Sequence, residues 1–196
     1  MRAAVPGATI AAMSDTLAGK LLVAMPGMGD PRFHGAVIMM CSHDAKHALG
    51  IVINKPKDDI TLTDVLGHLG IDIAMLGEER TVLDGGPVRP DRGYVLHTAD
   101  YAGAGQDVGP GIKLTATRDI LEAVAGEHAP ARFILALGCS GWGAGQLENE
   151  LKQNAWLVAP ADDDIVFDAG HEDKWARAIR KLGFEPSQLS GDMGQA

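Results

Sequence analysis

Apolar residues along this chain fall into short runs punctuated by glycine, proline and charged residues, and two spacings recur among them. Runs of β type occupy Lys20–Ala24, Ala36–Cys41, Leu49–Asn54, Thr81–Asp84, Gly93–His97, Ile112–Ala116, Arg132–Leu137, Trp156–Ala159 and Ile165–Phe167. Ala36-Val37-Ile38-Met39-Met40 and Phe133-Ile134-Leu135-Ala136-Leu137 are continuously apolar rather than alternating, which predicts strands covered on both faces. Between them the helical period appears four times. Leu62, Val65, Leu66 and Leu69 follow i, i+3, i+4, i+7, with Thr61 and Asp64 spaced as a capping box and Gly70 as the stop. Further helices are predicted over about Arg118–Ala125, Ala144–Asn154 and Glu172–Leu182, the last with Trp175, Ile179 and Leu182 inward and Gly183 as its cap. Strands outnumber helices and do not strictly alternate with them. This predicts an α+β single domain with a mixed sheet and about four helices rather than a regular doubly wound fold.

A length of 196 residues fits one domain able to bury a sizeable core. No internal repeat or low-complexity block divides the chain. Residues 1–12 read as a disordered extension, with Met13 as an alternative start; their Ala-rich stretch, broken by Pro6 and Gly7, makes a poor signal peptide. The domain is expected over 13–189, with a mobile tail at 190–196. No run reaches the ~18–20 apolar residues that span a bilayer, so no membrane partner is expected. Cys41 and Cys139, widely spaced, form neither a disulfide framework nor a Cys-x-x-Cys site, and a reducing, cytoplasmic setting follows as the simpler reading.

Charge narrows the partners. Seventeen Lys and Arg against 26 Asp and Glu leave a net charge of −9, which repels nucleic-acid phosphates, so direct nucleic-acid binding is not expected. The densest basic window, Lys174 to Lys181, reads as the solvated face of an amphipathic helix.

Candidate chemistry concentrates in four Gly- and Pro-rich loops at strand ends: Pro26–Pro31, Asn54–Pro56, Asp84–Gly93 and Gly138–Gln146. The last follows a buried strand and precedes a helix, where backbone N–H groups can face an anion. It lacks the Walker lysine, and Gln146 stands where a dinucleotide fingerprint needs its third glycine; helix-on-strand packing explains the glycines as well. Nor is it a nucleophile elbow, because Trp142 fills the final glycine position, although Ser140 or Cys139 with a histidine base stays open as an alternative. Trp142 itself reads as a lid over the core rather than a stacking platform. Cys41, His43 and His47 are the one metal-like cluster and read better as a strand and its polar connection, so no metal and no cofactor are assigned. Asp162-Asp163-Asp164 reads as a turn. Arg89 and Arg92 offer two guanidinium groups to a carboxylate or phosphate, the competing reading being pairs with Asp84 and Asp91.

Several long motifs resemble the YqgE/AlgH family of bacterial proteins: LAGKLLVAMPGMGDPRF, the Cys41–His43 segment with ALGIVINKP, GGPVRPDRGYVLH, TATRDILEAVA, LGCSGWGAGQLENELKQNAWLVAPAD and LSGDMGQA. The resemblance runs from about Leu17 to the C-terminus. It implies a curled mixed sheet surrounded by helices. It supplies no catalytic residues, only a label of transcriptional regulation for some members. Cys139 departs from the family pattern, in which an aromatic residue is usual.

The resulting expectation is a non-enzymatic regulatory or ligand-binding protein with an unidentified small anionic ligand or a protein partner. Its cleft is expected to be built by Asn54, Gly85, Gly86, Arg92, Gly138, Ser140, Trp142, Gly143 and Gln146. The alternative is a hydrolase of a small anionic substrate; no catalytic residue is assigned.

Overall fold

The computed structural model describes residues 16–77 and 79–189. The expected extension at 1–12 and tail at 190–196 lie outside the described residues. Among the described residues ten strands run in the order β1 (Lys20–Ala24), β2 (Val37–His43), β3 (His47–Val52), β4 (Pro56–Thr61), β5 (Thr81–Asp84), β6 (Val88–Thr98), β7 (Gln106–Gly109), β8 (Ile112–Thr115), β9 (Phe133–Gly143) and β10 (Trp156–Pro160). Five α-helices accompany them: α1 (Leu62–His68), α2 (Arg118–Val124), α3 (Gln146–Lys152), α4 (Asp163–Phe167) and α5 (Lys174–Lys181). Two expected strands, Lys20–Ala24 and Thr81–Asp84, match to the residue.

The sheet order is β10-β1-β2-β3-β9-β6-β8-β7, with β5 beside β9 and β4 beside β5. Among the described residues β5 and β9 form the one parallel pair, Val82 opposite Leu135, so the sheet is mixed and mainly antiparallel. It curls until its far edge meets its start: Gln106 Nε2 in β7 donates to Cys41 O in β2 at 3.0 Å. Gly19 lies so close to β7 that a Cβ there would stand 3.0 Å from Val108 O.

The continuous apolar runs are covered on both faces, as their pattern predicts. In β2, Val37 and Met39 join one core with Leu21, Ile51, Tyr94 and Ile179, while Ile38 and Met40 join another with Trp142, Leu147 and Trp156. In β9, Ile134 and Ala136 face the first core, and Phe133 and Leu135 face a third built by α1 and α2. The capping box at α1 forms as expected: Asp64 N donates to Thr61 Oγ1 at 3.2 Å, and Thr61 N donates to Asp64 Oδ2 at 2.9 Å.

Four expectations need correction. Ile165–Phe167 is helical, not a strand, because Asp162 caps the segment by accepting from Ile165 N at 2.8 Å. Strands β4 and β7 carry polar, largely exposed residues and gave no apolar run. Residues 138–143 continue β9 instead of forming a loop. Lys174, expected on a solvated face, is fully buried, its Nζ donating to Ile53 O at 2.9 Å and Val166 O at 2.8 Å. The remaining basic residues of α5 pair locally: Arg177 with Asp168, Arg180 with Glu185 and Lys181 with Asp162. No helix among the described residues is long and apolar enough to cross a membrane.

Candidate functional site

The glycines of the two richest loops meet each other. Gly85 N donates to Leu137 O at 2.8 Å, and Val52 N donates to Gly85 O at 3.0 Å. A Cβ on Gly85 would run into Gly138 O, and one on Gly138 would run into Gly86 O. Gly138 has φ +77° and Gly86 φ +135°, conformations that L side chains rarely adopt. Gly85, Gly86 and Gly138 are therefore demanded by backbone-to-backbone approach. Residues 138–143 are strand, so these glycines lie in β9 and the head of α3 begins only after them, at Gly145 and Gln146.

That approach shapes a bulge. Val88 pairs with Cys139 and Gly93 with Leu137, so β6 advances from 88 to 93 while β9 moves back only from 139 to 137. The surplus, Arg89 to Arg92, is thrown outward, and Arg89 takes φ +50°, unusual for a residue with a side chain. Such bulges re-aim side chains and bend the strand that carries them. Here they direct Arg89 and Arg92 into a pocket of about 460 Å³, where Arg118 from α2 joins them. Thr117 and Asp91 line it too, over an apolar floor of Val95, Ile120 and Leu121.

Each arginine is placed differently. Arg118 is anchored, donating Nε to Glu122 Oε1 at 2.7 Å and Nη1 to Leu69 O at 2.8 Å. Arg92 lies over the Tyr94 ring, 5.5 Å from its centroid. Among the described residues neither Arg89 nor Arg92 forms an ion pair, so the pairing with Asp84 and Asp91 does not occur. Asp84 instead accepts from Gly86 N at 3.2 Å. Beneath Arg92, burial and the adjacent Cys139 push the Tyr94 hydroxyl above its ordinary pKa. Chemically, the pocket presents three delocalised cations with forked donors, a match for phosphate or carboxylate oxygens.

The other candidate residues gather elsewhere. A second pocket of about 480 Å³ is lined by Met28, Phe33, Pro87, Gly141, Trp142, Gln146, Glu150 and Trp156. A smaller neighbour of about 250 Å³ includes Lys55, Asp84 and Gly86 and shares Arg32, Phe33 and Pro87 with it. The four loops thus do come together, but Arg92 faces a different pocket, and the single expected cleft is two. Asn54 is occupied in holding the loops: its Oδ1 accepts from Val37 N and its Nδ2 donates to Gly35 O, both at 2.8 Å. Gly143 N donates to Gln146 Oε1 at 3.2 Å. Trp142 is 5 % exposed, packs in the core with Leu147 and Trp156, and also lines the second pocket.

Neither nucleophile candidate is presented. Ser140 is fully buried in β9, its hydroxyl reaching Gly85 O at 3.4 Å, and Cys139 is buried with its thiol 3.6 Å from Tyr94 Oη. Among the described residues no histidine hydrogen-bonds to either. The metal-like trio separates. Cys41 turns into the core, where burial pushes its thiol pKa up. His43 accepts from Leu17 N at Nδ1 and therefore carries its proton at Nε2, 2.8 Å from Glu148 Oε1. His47 pairs with Asp44.

Arg118 and Glu150 were missed by sequence reasoning. Each sits at an ordinary helical position, and only the adjacency of α2 to the β6 bulge, and of α3 to β10, brings it to a pocket.

Comparison with known proteins fixes the lineage. The AlgH-like family model matches residues 21–187. A UPF0301 protein of Rhodospirillum rubrum is 49 % identical over 181 residues, covering 92 % of this chain and 94 % of its own. One from Caulobacter vibrioides is 45 % identical over 183 residues, covering 92 % and 94 %. The solution structure of the AlgH protein from Pseudomonas aeruginosa superposes with a TM-score of 0.74 at 34 % identity, over 100 % of both chains. A crystal structure of a Corynebacterium diphtheriae protein, at 20 % identity and a TM-score of 0.65 over 83 % of this chain and 85 % of that one, shares the fold. The curled α+β domain with its glycine-socketed bulge thus belongs to the AlgH-like family of UPF0301 proteins.

Proposed function

We propose that this chain is a cytoplasmic, non-enzymatic regulatory protein that binds a small phosphate- or carboxylate-bearing ligand between Arg89, Arg92 and Arg118. The observation that carries the reading is the convergence of three guanidinium groups on one pocket, two of them without a carboxylate partner among the described residues, in a chain of net charge −9. Three like-charged guanidinium groups on one pocket repel one another, and a bound anion relieves that repulsion. The overall acidity supports regulation through a protein partner rather than by contact with DNA.

Thermal unfolding with inorganic phosphate, pyrophosphate, citrate or duplex DNA, each at two salt concentrations, tests this reading. An anion at 100 times its dissociation constant adds about 2.7 kcal/mol, roughly 5–10 °C for a chain of this size. Arg92→Gln removes a charged hydrogen-bond donor worth about 1.5–3 kcal/mol, so its affinity falls about 10- to 100-fold. An equal shift in wild type and variant, or a shift with DNA alone, contradicts the proposal.

A further inference from the structure

The pocket of about 480 Å³ on the other side of the glycine crossing has opposite chemistry. Two of its walls are indoles: Trp142 and Trp156 stand edge to face, centroids 6.1 Å apart at 80°. Phe33 closes a third side against Trp156, at 5.6 Å and 70°. All three rings line the pocket, Trp142 and Phe33 each steeply inclined to Trp156, and the two indoles are only 5 % and 3 % exposed.

The carboxylate of Glu150 stands in the same wall. Its Oε2 accepts the indole N–H of Trp142 at 2.9 Å and of Trp156 at 2.8 Å, and its Oε1 accepts from Gln146 Nε2 at 2.9 Å. All three donors are neutral, and among the described residues no cation pairs with Glu150. The other charged lining residues, Asp30 and Arg32, neutralise each other across 2.6 Å. The pocket therefore carries about one net negative charge beside three aromatic rings. One ring already attracts a cation: the Arg32 guanidinium carbon lies 6.0 Å from the Phe33 centroid.

From this we infer that the pocket binds a trimethylammonium group. Aromatic faces attract a cation whose charge is spread over methyl groups, and they contact those methyls favourably. A primary ammonium brings three donors that each need an acceptor. Here three acceptor sites on Glu150 are taken by the indoles and the amide, so such a donor is poorly served. A quaternary group needs charge and no hydrogen bond, which is what this carboxylate has left to give. The inference rests on residues separate from the arginine pocket and stands or falls independently of the anion reading.

Trp142 and Trp156 make the pocket its own reporter, while Trp175 sits elsewhere, donating to Ala24 O at 2.8 Å. The full chain is titrated by intrinsic fluorescence with choline, with its uncharged carbon isostere 3,3-dimethylbutan-1-ol, with ammonium chloride, and with a short peptide bearing trimethyl-lysine. Saturable quenching by choline or by the peptide is expected, with the alcohol and ammonium at least about tenfold weaker. Choline binding points to a small-molecule source, and peptide binding with choline silent points to a modified protein side chain; either supports the inference. Glu150→Gln keeps an oxygen for the indoles and is expected to weaken choline about tenfold. Phe33→Leu, at a half-buried position, is expected to do the same with an unchanged melting curve, which covers the case of a Glu150 variant that fails to fold. No saturation by either trimethylammonium probe, or equal affinity for the uncharged alcohol, overturns the inference.

Discussion

An alanine at Gly138 is expected to abolish cooperative folding or to lower the unfolding free energy by more than about 4 kcal/mol, an exceptional value for one added methyl. Two penalties combine. At φ +77° an L side chain is strained. The new Cβ would also strike Gly86 O and approach Val88 O at 3.2 Å and Pro90 Cα at 3.3 Å, all backbone atoms that cannot rotate aside. Because a domain of this size holds only about 5–15 kcal/mol of stability, the loss is visible as a collapse of the urea midpoint. Gly143, in the same strand, is the control. Its Cβ would meet open space, so Gly143→Ala is expected to stay within about 0.5 kcal/mol of the parent. Similar midpoints for the two variants would show that the glycine crossing does not set the Arg89–Arg92 bulge.

The second large effect is a pH dependence from Lys174. Burial pushes its pKa down to about 7 from the usual 10.5; Arg177 and Arg132 add to the lowering, and Asp168 opposes it. Between these two values the unfolded chain holds a proton that the folded chain releases, so stability rises with pH across about 7 to 10. Below pH 7 both states are protonated, and the cost of the buried charge is fully present. Lys174→Met removes this dependence but strands the carbonyls of Ile53 and Val166, at about 1–3 kcal/mol each. At pH 7 the apolar replacement offsets much of that loss, since exchanging a buried charge for an apolar side chain is often neutral. The variant is therefore expected to match the wild type closely at pH 7 and to fall behind by about 2–4 kcal/mol by pH 10. Urea unfolding at the two pH values measures this, and a difference that stays constant from pH 7 to pH 10 contradicts the assignment.

The parts of the fold that were legible are those in which one face of an element decides its environment. The apolar runs in β2 and β9 disclosed burial on both faces, and Thr61 with Asp64 disclosed the start of α1 to the residue. Strands β4 and β7 were not legible because their partners, not their own polar side chains, hold them in the sheet. The glycines of the 138–145 segment were read as helix-on-strand packing; Gly138 instead meets the backbone of another strand, while Gly143 and Gly145 face open space. Arg92, expected in one cleft with Trp142, lines a different pocket because the register shift at Val88–Gly93 throws it outward. No local pattern announces that shift, since it arises from pairing across some 50 residues of sequence.

The central claim is that Arg89, Arg92 and Arg118 jointly hold an anion. Two-dimensional NMR of the arginine side-chain Nε–H groups during titration with pyrophosphate tests it most directly. The expected result is saturable, concerted movement of the resonances of these three residues, with one common dissociation constant, while Arg177 and Arg180 on α5 stay still. Movement spread evenly over all arginines, or confined to residues outside the bulge pocket, would contradict the account.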